Sequence, residues 1–199
     1  MSTTATIAIA TVSKTSKNDQ KIFLIGVMYG IILHIMWIKR NITDVRLIVG
    51  IGNPEPKYAH TYHNVGILCL TYLRKREDFP STYALAISTC NMNLSGVCIK
   101  KLLKEYDVVP EQLLILHDDS DITLGSYKLS FNRGAAGHKG VTSIIKHLGT
   151  KMFWRGRIGV RAPEERGRAE RFVLRTVREK DNSPLEEVFQ SIEDAFITT

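Results

Sequence analysis

From residue 47 onward the apolar positions alternate between short continuous runs and helical faces. Leu47-Ile48-Val49 is a β-branched run that stops at Gly50-Ile51-Gly52-Asn53-Pro54, a strand closed by a Gly-Asn-Pro turn. Val65, Leu68, Cys69, Tyr72 and Leu73 then recur at helical spacing, with Asn64 placed to cap the helix and Arg74-Lys75-Arg76 closing it. Tyr83, Leu85 and Ile87 alternate as a short strand does. Ser95 is placed to cap a helix carrying Ile99, Leu102, Leu103 and Tyr106 on one face. Leu113 to Leu116 reads as a buried strand ending at His117-Asp118-Asp119-Ser120-Asp121.

Tyr127, Leu129 and Phe131 alternate with Ser126, Lys128 and Ser130, predicting a half-exposed strand with Lys128 on its wet face. The glycine-rich loop 134–140 leads into a helix with Val141, Ile144, Ile145 and Leu148 inward, whose amino-terminal N–H groups suit an anion. Arg155, Arg157 and Arg161 share one face of a further strand, opposite Gly156, Ile158 and Val160. Ser183-Pro184-Leu185-Glu186 has capping-box spacing and opens a terminal helix carrying Leu185, Val188, Phe189, Ile192 and Phe196. Alternating strands and helices predict an α/β layout, in which ligands sit outside the carboxyl ends of the strands. That places Asn53 and His63 first in a site.

The amino-terminal part follows a different pattern. Residues 1–21 are rich in Thr, Ser and Ala with Asp19 the one acid, and residues 22–38 form a 17-residue uncharged run, at the bottom of the length that spans a bilayer. Three readings stay open: a targeting or signal-anchor segment, a membrane tether, or sequence foreign to the native protein. Residues 1–44 are therefore set apart from a domain over 45–199, and membrane contact is expected only through residues 22–38. The mitochondrion is favoured slightly over the cytoplasm.

Composition is that of a globular chain, with 44% hydrophobic and 24% charged residues among 199. The charge of +7 is regional: residues 127–180 hold fourteen Lys and Arg against four Glu, so the rest of the chain is net negative. Such a concentration suggests a polyanion partner such as nucleic acid, with a plain solvated surface as the alternative. Cys69, Cys90 and Cys98 form no C-x-x-C pair and read as buried thiols of a reducing compartment.

Several chemistries fit poorly. Gly50-x-Gly52 follows a strand, but Glu55 stands at the third glycine position and two prolines occupy the turn, so a pyrophosphate would meet a carboxylate. Histidines and acids show no paired metal-ligand spacing, and no G-x-S-x-G elbow is present. What remains is Asn53, His63, Asn93 and Asp118, each at a loop or strand end of a separate segment. A carboxylate bonded to one imidazole nitrogen fixes the tautomer and leaves the other nitrogen as a base, while carboxamides orient a water or an oxyanion. His117 should face away from Asp118, and Asp119 and Asp121 read as turn residues.

The stretches LIVGIGNPEPKYAHTYHNVG (47–66), NMNLSG (91–96), ILHDDSD (115–121), GAAGHKGVTSIIKHLGT (134–150) and RGRIGV (155–160) together resemble the bacterial-type peptidyl-tRNA hydrolase family. The resemblance runs from about Val45 to the end. It implies a monomeric α/β domain around a twisted mixed sheet flanked by helices, acting as an esterase that frees tRNA from peptide and needs no cofactor or metal. By that resemblance His63 is the catalytic base and Asp118 its orienting partner. Asn53 and Asn93 position water and the peptide-bearing end, Tyr58 and Met92 line the site, and Lys128 and Arg157 hold the phosphate backbone of peptidyl-tRNA. Lys139 stands where the family usually has an asparagine that contacts substrate. The stretch 64–92 is shorter than usual, which predicts the loss of a strand pair. These two departures motivate one alternative, a non-hydrolytic RNA-binding relative of the same fold.

Overall fold

The computed structural model describes residues 42–197, so the run 22–38 lies outside the described residues. Strand and helix segments alternate as β1 (Leu47–Gly50), α1 (Val65–Arg74), β2 (Ala84–Ile87), α2 (Ser95–Glu105), β3 (Leu113–Thr123), β4 (Tyr127–Phe131), α3 (Lys139–Leu148), β5 (Trp154–Arg161) and α4 (Glu179–Ile197). The five strands form one sheet in the order β2-β1-β3-β5-β4. Its neighbours are parallel except for the antiparallel β4–β5 pair, so the sheet is mixed. The stretch 64–92 contributes α1 and one four-residue strand, β2, at the sheet edge.

Both faces of the sheet are covered, which is why the central strands read as continuous apolar runs. Ile48, Leu114, Leu116, Ile158 and Val160 pack on one side with Val65, Cys69 and Leu73 of α1 and with Leu185, Val188, Phe189 and Ile192 of α4. Leu47, Val49, Leu113 and Ile115 pack on the other with Ile99 and Leu103 of α2 and Val141 and Ile144 of α3. Successive residues thus serve opposite layers, and a one-residue slip of β1 or β3 would exchange them.

Close approach of α1 to the strand ends sets the site. A Cβ at Gly66 would lie 2.1 Å from the Leu116 carbonyl oxygen, and one at Gly50 would lie 2.5 Å from the Gly66 carbonyl oxygen. Because neither position carries a side chain, the first turn of α1 descends onto β1 and β3 and carries residue 63 with it.

Four local expectations need correction. The strand expected to stop at Leu116 continues to Thr123: β1 ends where Gly50 pairs with Leu116, but β5 pairs with β3 as far as Asp119 before the register shifts. Asn64 and Ser95 do not cap their helices. The Asn64 carboxamide is taken by the backbone of Asn53, and Ser95 is the first residue of α2 with its Oγ donating to the Met92 carbonyl, 2.7 Å away. The terminal helix starts at Glu179 and contains Pro184, so Ser183 is interior to it and no capping box forms there. Asp181 draws in the extra turn, accepting bonds from Arg178 and from the hydroxyl of Tyr62. Finally, Cys90 and Cys98 are not buried thiols. They are half-buried and joined in a disulfide, with Cα atoms 6.0 Å apart, because a 3-10 turn at residues 92–94 and the first turn of α2 fold Cys98 back towards Cys90. Cys69 is a free buried thiol, as expected, and burial pushes its pKa well up.

Candidate active site

Residues 62–64 form a single 3-10 turn between β1 and α1. Its backbone is held by the strap that follows β5: the Tyr62 and His63 amides donate to the carbonyls of Arg175 and Val173, at 3.2 and 2.7 Å. The imidazole of His63 meets Asp118 directly, Nδ1 to Oδ1 at 2.8 Å. The same carboxylate oxygen is 2.9 Å from Nε2 of His138, the residue that caps α3.

Proton positions follow from these contacts. Nδ1 of His138 accepts the Val141 amide N–H, at 3.2 Å, so in the neutral ring the proton sits on Nε2 and is donated to Asp118. His63 likewise donates from Nδ1, which leaves its Nε2 with a lone pair. Asp118 is 3% exposed. Burial alone would oppose its ionisation, but His138 and then His63 overcome that and hold the carboxyl well below the usual carboxylate range. A carboxylate receiving two N–H bonds is a fixed acceptor, and it fixes the tautomer of both rings.

His117, adjacent in β3, makes no bond to that carboxylate. Its Nδ1 lies 2.6 Å from the Asp118 carbonyl oxygen and its ring stands edge-on to His138 with centroids 4.7 Å apart. Burial, reinforced by His138, holds its pKa well below the ordinary imidazole range.

His63, Asp118 and His138 place their ligating atoms within 4.8 Å of one another, a composition that suits a metal. The hydrogen bonding assigns those atoms otherwise. Both nitrogens that face Asp118 carry protons, and moving the His138 proton to its other nitrogen would set it against the Val141 N–H.

A cleft of about 230 Å³ opens above this cluster, walled by His63, Asp118, His138, Lys139, Val173 and Leu174 among others. Lys139 is exposed, at the first position of α3. Asn53, Tyr58, Met92 and Asn93 are not part of that lining. Asn53 is tied to the cluster through its neighbours: its backbone N–H and carbonyl both bond the Asn64 carboxamide, at 2.8 Å each. Its own Oδ1 accepts the Met92 amide at 2.9 Å, which leaves the NH₂ end of the carboxamide as a donor. Met92 is 4% exposed and packs in the core layer. A Cβ at Gly140 would lie 2.4 Å from its sulfur, so Met92 abuts the start of α3. Asn93 is exposed in the same turn, and Tyr58 is half-buried with the Lys57 ammonium 4.8 Å from its ring centre.

Four cations of the basic region, Lys128, Arg155, Arg157 and Arg161, stand on β4 and β5. Lys128 pairs in register with Arg157 and is exposed, while Arg157 donates to Asp119 at 2.7 Å. Asp119 is therefore not an ordinary turn residue, since it anchors a cation and also accepts the Asp121 amide at 2.9 Å. Arg155 is buried, and burial together with the nearby Arg157 pulls its pKa down to about 10.

From the sequence, His138 has no role at the site, while Asn64 reads as a helix cap and His117 as facing away from Asp118. A histidine immediately before an amphipathic helix is an unusual cap, and that position was the available signal for His138. Nothing local marked the carboxamide of Asn64 as a backbone clamp.

An imidazole anchored by an ionised carboxylate, with its second nitrogen free beside a cleft, can take a proton from water as that water attacks a carbonyl. Such a base and cleft at the strand ends of an α/β sheet suit a hydrolase.

Comparison with known proteins narrows the class. The family model described as Peptidyl-tRNA hydrolase matches residues 47–199, and the chain belongs to that family. The peptidyl-tRNA hydrolase of Aquifex aeolicus (strain VF5) is 34% identical over 164 residues, covering 74% of this chain and 85% of that protein. That of Synechococcus sp. (strain CC9605) is 42% identical over 141 residues, covering 62% and 69%. The crystal structure of peptidyl-tRNA hydrolase from Acinetobacter baumannii superposes with a TM-score of 0.67 at 27% identity, covering 78% of this chain and 89% of that one.

Proposed function

We propose that this chain hydrolyses the ester joining a peptide to the terminal ribose of tRNA, with His63 as general base. The observation that carries the assignment is the pair of imidazoles on Asp118, which leaves Nε2 of His63 without a proton. Nε2 accepts a proton from water as the water oxygen adds to the ester carbonyl. The tetrahedral intermediate then collapses, and the same proton is returned to the departing ribose oxygen. The leaving group is an alkoxide, easier to expel than an amine, so neutral donors suffice for the oxyanion. The carboxamides of Asn53 and Asn93 hold the peptide-bearing end beside the ester carbonyl, in the ground state as in the transition state.

Lys139, on the cleft wall, brings an ammonium where relatives present an amide, and its role here is to hold the acyl or phosphate part of the substrate. Lys128 and Arg157 bind the phosphate backbone, supported by the surrounding positive charge. The non-hydrolytic alternative is not favoured, since the relatives named above are hydrolases. We place the active form as a monomer, and the acid-poor residues 1–21 support a mitochondrial location.

The deciding experiment is His63→Ala in a single-turnover assay with N-acetylated aminoacyl-tRNA. The rate falls about 10²- to 10⁴-fold, the usual worth of a general base. An unchanged rate overturns the assignment.

A further inference from the structure

Cys90 and Cys98 stand at the two ends of the segment that carries Met92 and Asn93. Neither belongs to the hydrogen-bonded cluster around Asp118. Their disulfide closes a loop whose ends are eight residues apart in sequence. Within it lie the 3-10 turn at residues 92–94 and the first residues of α2. The loop reaches the amide side of the site through the Met92 N–H to Oδ1 of Asn53 and the Asn91 NH₂ to the Glu55 carboxylate at 3.1 Å, and reaches α3 through the Gly96 N–H to Ser143 Oγ at 3.1 Å. The other bonds of the turn are local: Leu94 N–H to the Asn91 carbonyl, and Ser95 Oγ to the Met92 carbonyl.

Both cysteines are half-buried, so a small thiol can reach the bond. Cys98 lies in the first turn of α2, where the partial positive charge of the helix end favours a departing thiolate. Cys69 is fully buried in α1 and does not take part.

We infer that Cys90 and Cys98 form a thiol–disulfide exchange site that sets how firmly the Met92–Asn93 turn, and with it the Asn53 carboxamide, is presented to substrate. Exchange proceeds in two steps. A thiolate of a small dithiol attacks one sulfur, forming a mixed disulfide and releasing the other cysteine as thiolate. The second thiol of the reagent then attacks the mixed disulfide, leaving Cys90 and Cys98 reduced and the reagent oxidised to its cyclic disulfide. In the reduced form the turn keeps its hydrogen bonds and the packing of Met92 but loses the covalent tie between its ends, and it samples more conformations. The His63–Asp118–His138 cluster sits on other elements and keeps its geometry. Reduction therefore weakens substrate binding more than it slows the chemical step. This inference rests on the hydrolase reading of the same site.

The test compares full-length protein oxidised with glutathione disulfide and reduced with dithiothreitol. Alkylation and mass spectrometry of the oxidised form should show Cys90 and Cys98 protected as one cross-linked pair, and both free after reduction. KM for N-acetylated aminoacyl-tRNA should rise about threefold or more on reduction, with kcat changed less than about twofold. Cys98→Ser should behave as the reduced form and ignore dithiothreitol. Free thiols at both positions after glutathione disulfide, equal KM in the two forms, or a Cys98→Ser protein that still responds to dithiothreitol would each overturn the inference. If no form hydrolyses the substrate, the hydrolase reading fails instead. Filter binding of the N-acetylated aminoacyl-tRNA to the two redox forms then decides this inference alone, with equal affinities refuting it.

Discussion

On one side of the site, His63, Asp118 and His138 touch through side-chain atoms from three separate elements, with the carboxylate buried among them. On the other, Asn53, Met92 and Asn93 are arranged through backbone bonds, and the turn that carries two of them is exposed at Asn93 and tied by a disulfide. The first arrangement has little freedom, because moving any ring breaks a bond to an ionised buried group. The second can shift by small backbone rotations without leaving a buried charge unpaired. Proton transfer demands the first kind of placement, whereas holding a variable peptide end tolerates the second.

If the comparison is right, the largest loss comes from the carboxylate. Asp118→Asn keeps shape and volume, and its carbonyl oxygen can still accept from both rings, but it carries no charge to stabilise the imidazolium that forms when His63 takes a proton. The single-turnover rate should fall about a thousandfold, within the usual range for general-base catalysis, with little change in KM. A rise in KM with an unchanged rate would instead place Asp118 in binding.

A smaller and different loss is expected from Asn64→Ala. Removing the carboxamide that pairs with both backbone groups of Asn53 leaves those groups without partners, at about 1–3 kcal/mol of stability for the site. Steady-state kinetics should show kcat/KM down about tenfold, mostly through KM. Loss carried entirely by kcat would mean that the two sides are one rigid unit.

The smallest effect concerns stability rather than rate. His117 is neutral when folded, with its pKa held well below the ordinary imidazole range by burial, whereas the unfolded chain binds a proton there. Stability should therefore fall as pH drops below about 6.5, by up to about 1.4 kcal/mol per unit for one proton. Asp118 has a depressed pKa, so its contribution is complete above the ordinary carboxyl range and is lost only at lower pH. Denaturant titrations of His117→Asn should show a flatter pH dependence than the parent between pH of about 6.5 and 5, with the two converging in the acid. Identical profiles would mean that His117 does not resist protonation.

Much of the architecture was legible because burial on both faces of the sheet leaves a periodic trace. Leu47 to Val49, Leu113 to Leu116 and the Leu185-to-Phe196 face each read as they pack. Element ends were less legible, since long-range contacts set them. Polar residues after Leu116 resemble a strand end, yet β5 keeps them extended. Asp181 lengthens the last helix because Tyr62, from a distant segment, and Arg178, just ahead of the helix, bond to it. Loop and strand-end placement draws attention to Asn53, His63, Asn93 and Asp118, and the family resemblance adds Tyr58, Met92, Lys128, Lys139 and Arg157. The bond from His63 to Asp118 joins residues 55 apart, and no local spacing encodes it. The disulfide escaped for the same reason: its two cysteines meet only once a short turn and a helix start have formed between them.

The central claim is a statement about where one proton sits. Nitrogen-15 imidazole spectroscopy of the uniformly labelled protein, in mildly alkaline buffer, reads the tautomer of His63 directly. The account predicts a protonated Nδ1 and a bare Nε2, with the pattern lost in Asp118→Ala, where Nδ1 has no acceptor at that position. A protonated Nε2 in the parent protein would contradict it, because no base would then face the cleft.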